Sequence, residues 1–472
     1  MMNLEEIKEK ILRDPILAQL SALAKEKKTP LFLVGGFLRD LLLGTSTKDY
    51  DFTLPKEALS FISSMEETLD LRFFKVGKEE MDTLTYRIIK DDMSMDLTFL
   101  QGNGIHDDLQ RRDFTMNAVA FSLRDQTFHW VEGALEDIEK RVIRTVSNHS
   151  IDQDPLRMLR ALRYLCTLND FALDPALKKE ISQKRELTFK LPGERIKMEL
   201  DHMLLSPQPA VGMKSLHESG LLLTLLPELR GLEKLGQNEH HHLNVLSHTL
   251  LMVEKISWAD EWITLHEKKI PFTREDWLSL YYAGLFHDVG KQDTYSEDEK
   301  GKVHFYFHES FSSQTSERIM ERLHFSNTMR NRILRLIQNH MRILNLSRET
   351  KETALKRLIH QMGEETPLLV LLTLADKEAS RGILSIQVDE VVEDHCLRIL
   401  KLFEEKEIVH PPPLITGHDV MDLGYPSGPK VGQILNFIRG RQVEGEIGTR
   451  EEALEVLKER FGDSQNGSRK PS

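Results

Sequence analysis

The sequence predicts a multidomain α+β protein in which a small mixed α/β head is followed by a mainly helical remainder. Three observations carry that expectation. The chain has 472 residues, beyond the size at which a single hydrophobic core keeps growing, so two or more domains are expected. Strand-like runs crowd into the segment before about residue 150, whereas from Asp154 onward apolar residues recur at spacings of three and four. Hydrophobic residues at 40% and charged residues at 29% allow each part to bury a core without special help.

From Met1 to Lys28, the spacing of Leu4, Ile7, Ile11, Leu12, Ile16, Leu20 and Leu23 predicts helix. Leu31–Val34 is a short apolar run stopped by Gly35 and Gly36, which predicts a buried strand and a turn, with a helix following over Arg39–Leu43. Asp49–Leu54 alternates carboxylates with apolar side chains, as a half-buried strand does. Further strands are predicted at Arg72–Val76, Thr83–Ile89 and Ser94–Phe99. Leu156, Leu159, Leu162 and Leu165 then open a helical region that continues through 194–205, 211–226 and 244–257. Leu191-Pro192-Gly193, Ser206-Pro207 and Leu226-Pro227 punctuate it, and His410-Pro411-Pro412-Pro413 marks the clearest boundary. Asp463 to Ser472 reads as a solvated tail. There is no internal repeat and no low-complexity block.

Two cysteines, Cys166 and Cys396, lack zinc-knuckle or Cys-x-x-Cys spacing, which fits a reducing compartment. The N-terminal residues lack a signal-peptide core and no run reaches the length of a membrane span, so a cytoplasmic protein is expected. Lys plus Arg total 63 against 75 Asp plus Glu, a net charge of −12. Such a chain does not coat nucleic acid by bulk charge; any nucleic-acid site must be a local basic patch.

Gly35 and Gly36 stand between a strand and Arg39, where backbone N–H groups and a guanidinium can meet an anion; a plain tight turn uses the same residues. Asp49 and Asp51, two apart on a strand, place two carboxylates on one face. Divalent cations relieve the repulsion of such a pair and can clamp both oxygens of a phosphoryl displacement. Asp96, on another alternating segment, is either a third ligand or a solvated edge-strand acid. Arg111-Arg112-Asp113-Phe114-Thr115-Met116-Asn117-Ala118 supplies guanidiniums for phosphates and two side chains able to bond ribose hydroxyls.

Taken together, Leu33-Val34-Gly35-Gly36-x-x-Arg39-Asp40, Asp49-Tyr50-Asp51 and Arg111-Arg112-Asp113-Phe114-Thr115-x-Asn117-Ala118 resemble the class II tRNA nucleotidyltransferase and bacterial poly(A) polymerase family. The resemblance implies a nucleotidyltransferase head (palm) in which Asp49 and Asp51 hold two Mg²⁺ ions. It places Gly35, Gly36, Arg39 and Arg112 at the triphosphate, and Asp113 and Asn117 at the ribose. It further implies that Asp154 and Arg157, three apart at a helix start, act as an amino-acid template for the incoming base, with Arg160 and Arg163 on the same nucleotide-binding helix. Without the resemblance Asp154 reads as a capping acid with an arginine neighbour. An acceptor beside a donor matches cytosine and adenine, while uracil and guanine present like groups to both. Gln153 stands where the family carries Glu. Glu194-Arg195-x-x-x-Glu199 matches the family's next motif and is expected to buttress the neck. The short stretch Leu97–Gln110 between Asp96 and Arg111 inclines the reading towards a CC-adding product.

Further along, His248, His287-Asp288 and Asp376 fall on successive predicted helices, with His308 and His340 between them. Imidazole and carboxylate donors suit Mn²⁺, Ni²⁺, Fe²⁺ or Zn²⁺. This set resembles the HD phosphohydrolase superfamily, which implies His248, His287, Asp288 and Asp376 as core ligands, His308 and His340 for a second ion, and Lys291 at a phosphate. His240-His241-His242 reads as a solvated turn.

The expected organisation is a head over 1–150, a helical neck and tRNA-binding body over 151–235, an all-helical HD domain over 236–405, a docking or RNA-binding segment over 406–462 and a disordered tail over 463–472. The expected activity adds C, A or both from CTP and ATP to the tRNA 3′ end. Its partners are that end, the acceptor stem and the two nucleotides, with no membrane; the oligomeric state is not readable. The rivals are a poly(A) polymerase, an HD phosphohydrolase with an inactive head and a noncatalytic RNA-binding protein.

Overall fold

The computed structural model describes residues 3–77, 84–236, 244–267, 269–380 and 386–462, without the side chains of 386–389. His240–His242 and the 463–472 tail lie outside these residues. The chain divides into two compact units, Met1–Leu225 and Leu226–Ser472.

The first unit opens with α1 (Leu4–Arg13) and α2 (Pro15–Glu26), where one continuous helix was expected. The break follows from Asp14-Pro15. Proline lacks the N–H that would continue α1, and Asp14 Oδ1 accepts the Ile16 and Leu17 N–H groups at 3.0 Å, capping α2. β1 (Phe32–Val34), buried throughout, leads through Gly35 into α3 (Gly36–Leu42), which starts earlier than expected. β2 (Asp49–Leu54) keeps the predicted bounds, followed by α4 (Phe61–Leu69), β3 (Phe74–Val76), β4 (Thr85–Lys90) and β5 (Met93–Phe99).

Two strands the sequence reading did not find, β6 (Val119–Ser122) and β7 (Thr127–Trp130), complete a sheet of order β3-β4-β5-β2-β1-β6-β7. β2 and β5 run parallel, in a register that sets Asp51 opposite Asp96. Leu97–Phe99 therefore belong to β5. Ile105–Gln110 form α5, so the stretch read as a loop over 97–110 is irregular only at 100–104.

The same unit continues through α6 (Ala134–Glu139), β8 (Val142–Ile143), α7 (Ser150–Gln153), α8 (Leu156–Thr167), β9 (Ala172–Leu173), α9 (Pro175–Lys184), α10 (Gly193–Leu204), α11 (Pro209–Glu218) and α12 (Leu221–Leu225). α8 presents Leu156, Met158, Leu159, Leu162 and Cys166 to the interior, and Tyr164 meets Phe114 edge-on at 5.7 Å between ring centroids. The first helices beyond residue 150 are thus packed onto the head.

The second unit is mostly helical: α13 (Val245–His266), α14 (Arg274–Phe286), α15 (His308–Arg322), α16 (Asn327–Asn339), α17 (Met341–Leu344), α18 (Glu352–Met362), α19 (Thr366–Ala379), α20 (Ile386–Phe403), α21 (Lys406–Val409), α22 (Gly417–Met421), α23 (Pro429–Val443) and α24 (Arg450–Phe461). The expectation that 236–405 is all helical is corrected by an antiparallel hairpin, β10 (Tyr295–Glu297) and β11 (Val303–Phe305). Its turn is stabilised locally, with Asp298 Oδ1 accepting the Lys300 and Lys302 N–H groups at 2.9 Å. Past the proline run, Ile415, Val420, Val431, Ile434, Ile438, Ala453 and Leu457 form a core of their own.

Candidate functional site

At the end of β1, Gly35 adopts φ 75°, and a Cβ there would stand 3.1 Å from Asp51 Oδ2 and 3.3 Å from Arg112 Nη1. Only glycine fits that backbone and that space. The bare turn, a carboxylate and a guanidinium nitrogen therefore meet at one point. Asp49 is exposed and Asp51 half-buried on the same face of β2. Ser94 Oγ donates to Asp49 Oδ1 at 2.6 Å. Burial pushes the Asp51 carboxyl up to about 6 against the pull of Arg112, with the Asp96 and Asp49 charges adding to the rise. A carboxylate cluster that resists ionisation in this way is short of positive charge, and its hard oxygen donors fit Mg²⁺.

The remaining head residues are brought near this point but are engaged in ways the sequence did not suggest. Asp96 lies beside Asp51, yet Arg87 Nε binds its Oδ1 at 2.6 Å and Arg87 Nη2 binds its Oδ2, so neither oxygen is offered freely to an ion. Arg39 is buried; Nε donates to Asp40 at 2.8 Å and Nη1 to Asn117 Oδ1 at 2.8 Å. Arg112 Nη2 is held by Asp108 at 3.1 Å, leaving Nη1 directed at Gly35.

Asp113 and Asn117, expected at a ribose, are buried and bonded to each other at 3.1 Å, and Asn117 Nδ2 also donates to Tyr164 at 3.2 Å. Arg160, expected at the nucleotide, pairs with Asp113 at 2.8 Å. Against the cost of burial, Arg160 holds the Asp113 carboxyl below the usual carboxylate range. Arg163, likewise expected at the nucleotide, meets the buried Glu199 at 3.3 Å and the His202 ring at 3.1 Å. Both pairings have one physical cause. A carboxylate buried on a neighbouring element needs a counter-charge, and these arginines supply it.

Asp154 and Arg157 do not bond each other through their side chains. Asp154 lies before α8 in extended backbone, with Oδ1 accepting the Leu156 N–H at 3.1 Å and Oδ2 meeting Arg195 at 3.0 Å. Arg157 donates to the Ser150 carbonyl at 3.2 Å and to the Arg111 carbonyl at 2.6 Å. The side chains missed by sequence reasoning are Arg87, Asp108 and Tyr164. Arg195 had been assigned only a buttressing role. Of these, Arg195 alone carried a signal, within Glu194-Arg195-x-x-x-Glu199.

In the second unit, His248 on α13, His287 ending α14, Asp288 after it, His308 opening α15, His340 ending α16 and Asp376 on α19 converge in a buried cluster. His248 Nε2 stands 3.1 Å from Asp376 Oδ1 and 3.4 Å from His287 Nε2, which is 3.2 Å from Asp288 Oδ2. His308 Nε2 is 3.4 Å from Asp288 Oδ1 and 3.2 Å from His340 Nε2. Two triads, His248-His287-Asp376 and His287-Asp288-His340, have donor atoms close enough to share an ion.

Three rings are oriented alike. Nδ1 of His287, His308 and His340 lies 2.8, 2.9 and 2.7 Å from the carbonyls of Gly284, Phe305 and Ile337. A carbonyl only accepts, so each Nδ1 carries a proton and each Nε2, the nitrogen that metal ligation would use, faces the cluster. Burial pushes His340 down to about 3, with His287 adding to the effect. Although burial opposes it, His287 and Lys291 hold Asp288 well below the usual range, and the His248 hydrogen bond does so for Asp376. Buried carboxylates facing imidazole Nε2 atoms fit a transition metal. Lys291 Nζ sits 2.7 Å from Asp288 Oδ2.

Gly290 fixes this arrangement. A Cβ there would stand 2.3 Å from Ser312 N and 2.6 Å from the His308 carbonyl oxygen, so the segment bearing Lys291 lies backbone to backbone on α15.

Sequence profiles match in three places: the poly(A) polymerase head domain over residues 31–144, the probable RNA and SrmB-binding site of polymerase A over 170–232, and a putative tRNA nucleotidyltransferase domain 2 over 294–457. None of these three spans His248, His287 or Asp288. The A-adding tRNA nucleotidyltransferase of Deinococcus radiodurans is 32% identical over 444 residues, covering 92% of this chain and 96% of the relative. The CC-adding tRNA nucleotidyltransferase of Thermus thermophilus is 32% identical over 437 residues, covering 90% and 92%. Among solved structures, the Bacillus stearothermophilus CCA-adding enzyme in complex with CTP superposes with a TM-score of 0.62 at 23% identity, covering 95% of this chain and 98% of that one. The Thermotoga maritima CCA-adding enzyme complexed with tRNA gives 0.58 at 20% identity, covering 96% and 97%. At these identities the structural likeness is one of fold.

Proposed function

The chain belongs to the tRNA nucleotidyltransferase family, and on that premise we propose that its head adds C from CTP, without a template, to the 3′ end of tRNA and releases pyrophosphate. Nucleotidyl transfer to tRNA is the activity of the family; the choice of C over A is the finer reading. The observation that carries the reaction is the meeting of Asp51 and Arg112 Nη1 at Gly35, with Asp49 on the same strand face as Asp51. When bound by Asp49 and Asp51, Mg²⁺ would neutralise the triphosphate and acidify the attacking 3′ hydroxyl.

The chain's own residues do the positioning. Arg112 Nη1 faces the phosphates, and the glycine turn lets them approach the backbone. The Asp113–Arg160 and Asn117–Arg39 bonds fix the floor beneath them, and Asp96 acts through Arg87 to hold β4 against β5. Asp154, steered by Arg195, and Arg157, anchored to two carbonyls, offer an acceptor and a donor to the Watson–Crick edge of cytosine.

The C-only product is supported by the brevity of the irregular segment at 100–104. Labelled CTP or ATP incubated with tRNA ending at the discriminator, at CC or at CCA gives the answer on one gel. Two C additions to the first substrate and none of A support the proposal. A single A added after CC overturns the C-only reading. Long A tails identify a poly(A) polymerase.

The second unit, in the same reading, is a metal-dependent phosphohydrolase of HD type. The two ligand triads would hold a transition metal, and Lys291 would meet the phosphate ester. Metal content after dialysis, with release of phosphate from a phosphomonoester, tests it.

A further inference from the structure

We propose that the β10–β11 hairpin and the turn into α15 form a stacking platform that seats the unpaired 3′-terminal nucleotide of an RNA beside the histidine and aspartate cluster. The inference rests on the metal-site reading only for where the phosphate lies.

Four aromatic side chains gather on this short stretch and stay in solvent: Tyr295 is 47% exposed, Tyr306 65%, Phe307 75% and Phe311 42%. Single exposed rings need no explanation, but several on one short segment forgo the burial that rewards an aromatic residue, which marks a binding surface. Their arrangement is ordered. The His304 and Tyr306 rings lie nearly parallel, 8° apart in plane with centroids 5.1 Å apart. Phe305 stands below Lys291, whose Nζ is 5.4 Å from the ring centroid. Phe307 takes φ 61°, a left-handed conformation uncommon for a bulky residue, and in doing so opens α15 at His308 with its ring outward.

Position decides what such rings serve. Phe307 directly precedes His308, and the Phe305 carbonyl accepts from His308 Nδ1 at 2.9 Å, so platform and cluster share a backbone. Gly290 locks Lys291 against the same helix. A ligand spanning both must carry a flat π face and, a bond or two away, an anionic ester. A nucleotide has both, and base stacking on aromatic rings is indifferent to sequence. The rings are open to solvent on the outside, which suits a chain end whose base is unpaired.

The test uses the full chain in EDTA and a short oligoribonucleotide ending in 4-thiouridine and a 3′-phosphate, so that the head cannot extend it and the second unit cannot release the phosphate, with excess CTP present. Irradiation is expected to crosslink the terminal base within 303–311. Replacing both rings, Tyr306→Ala with Phe307→Ala, is expected to weaken binding by roughly tenfold to a hundredfold. Tyr306→Phe with Phe307→Trp is expected to restore it. Unchanged affinity in the double alanine variant, or equal loss in the conservative pair, overturns the platform and leaves the rings to a protein partner. AMP competing as well as the oligonucleotide overturns the RNA assignment in favour of a free nucleotide. Mn²⁺ uptake is measured in parallel. Its absence from the wild-type protein overturns the metal reading alone, and ring-dependent affinity still decides the platform.

Discussion

The two candidate centres solve the same problem, holding anions and cations close together, in opposite ways. In the head, Asp49 and Asp51 ride on an open strand face, one exposed and one half-buried, and arginines surround them. In the second unit, His248, His287, Asp288 and His340 are buried at helix ends and helix interiors, with each 2% exposed or less. Hard oxygen donors on an accessible face suit an ion that arrives with its nucleotide and leaves with pyrophosphate. Enclosed imidazoles with fixed tautomers suit a resident ion. On the proposed reading, exposure would separate an exchangeable cation from a permanent one.

The strongest way to break that contrast is Asp51→Asn, which keeps the shape and removes the charge. Nucleotide incorporation is expected to fall by about 10²–10³-fold or more, the scale of losing one electrostatic contact in a transition state. Phosphate release by the second unit should be unchanged, and a parallel loss would mean that the centres are not independent.

Next in size is Arg160→Met, which leaves Asp113 buried without its partner. The expected cost is about 3 kcal/mol, at the low end for a stranded buried charge, because Arg160 keeps 35% of its side chain exposed. The sign with pH is definite. In the wild type the lowered Asp113 pKa stabilises the fold at neutral pH, and that contribution fades as pH falls through it. In the variant, burial acts alone and raises the pKa, so protonation relieves the penalty in acid. The gap in melting temperature should therefore be widest near neutrality and narrow towards about pH 4.

His287→Ala sharpens the other side of the comparison, since His287 contributes to both triads. Wild-type protein at a metal concentration 100 times Kd should gain about 2.7 kcal/mol of stability, read as a rise in Tm on adding Mn²⁺, and the variant should gain none. Smallest is Gly290→Ala. The added methyl meets backbone on two sides and should cost about 2 kcal/mol in melting measurements. Metal uptake should weaken with it, because Lys291 and His308 lose their common footing.

What the sequence disclosed follows the same division. β2 was legible to the residue because one face is polar and the other apolar, and alternation records that. β6 escaped because all four of its residues are buried, which erases the alternation, and β7 escaped with it. The hairpin β10–β11 is short, solvated and charged at its turn, and no hydrophobic period marks it.

The candidate site residues stood out in the sequence wherever chemistry demands a rare combination, as at Asp49-Tyr50-Asp51 or His287-Asp288. The partners of Arg160 and Arg163 were not legible because they lie far along the chain. Arg163 meets Glu199 on another helix, and Arg160 meets Asp113 across an intervening stretch of head. Periodicity places a residue on a face but says nothing of which charge waits opposite.

His287 and His340 each close a helix by bonding the carbonyl three residues back, and the opposite ring nitrogen of each faces the cluster. Two duties on one imidazole restrict how this centre can evolve or be re-engineered. A cysteine at either position would bring a softer donor, yet it would give up the side-chain bond to the main-chain oxygen three residues back. A change of metal preference here therefore requires a compensating change in how the chain turns.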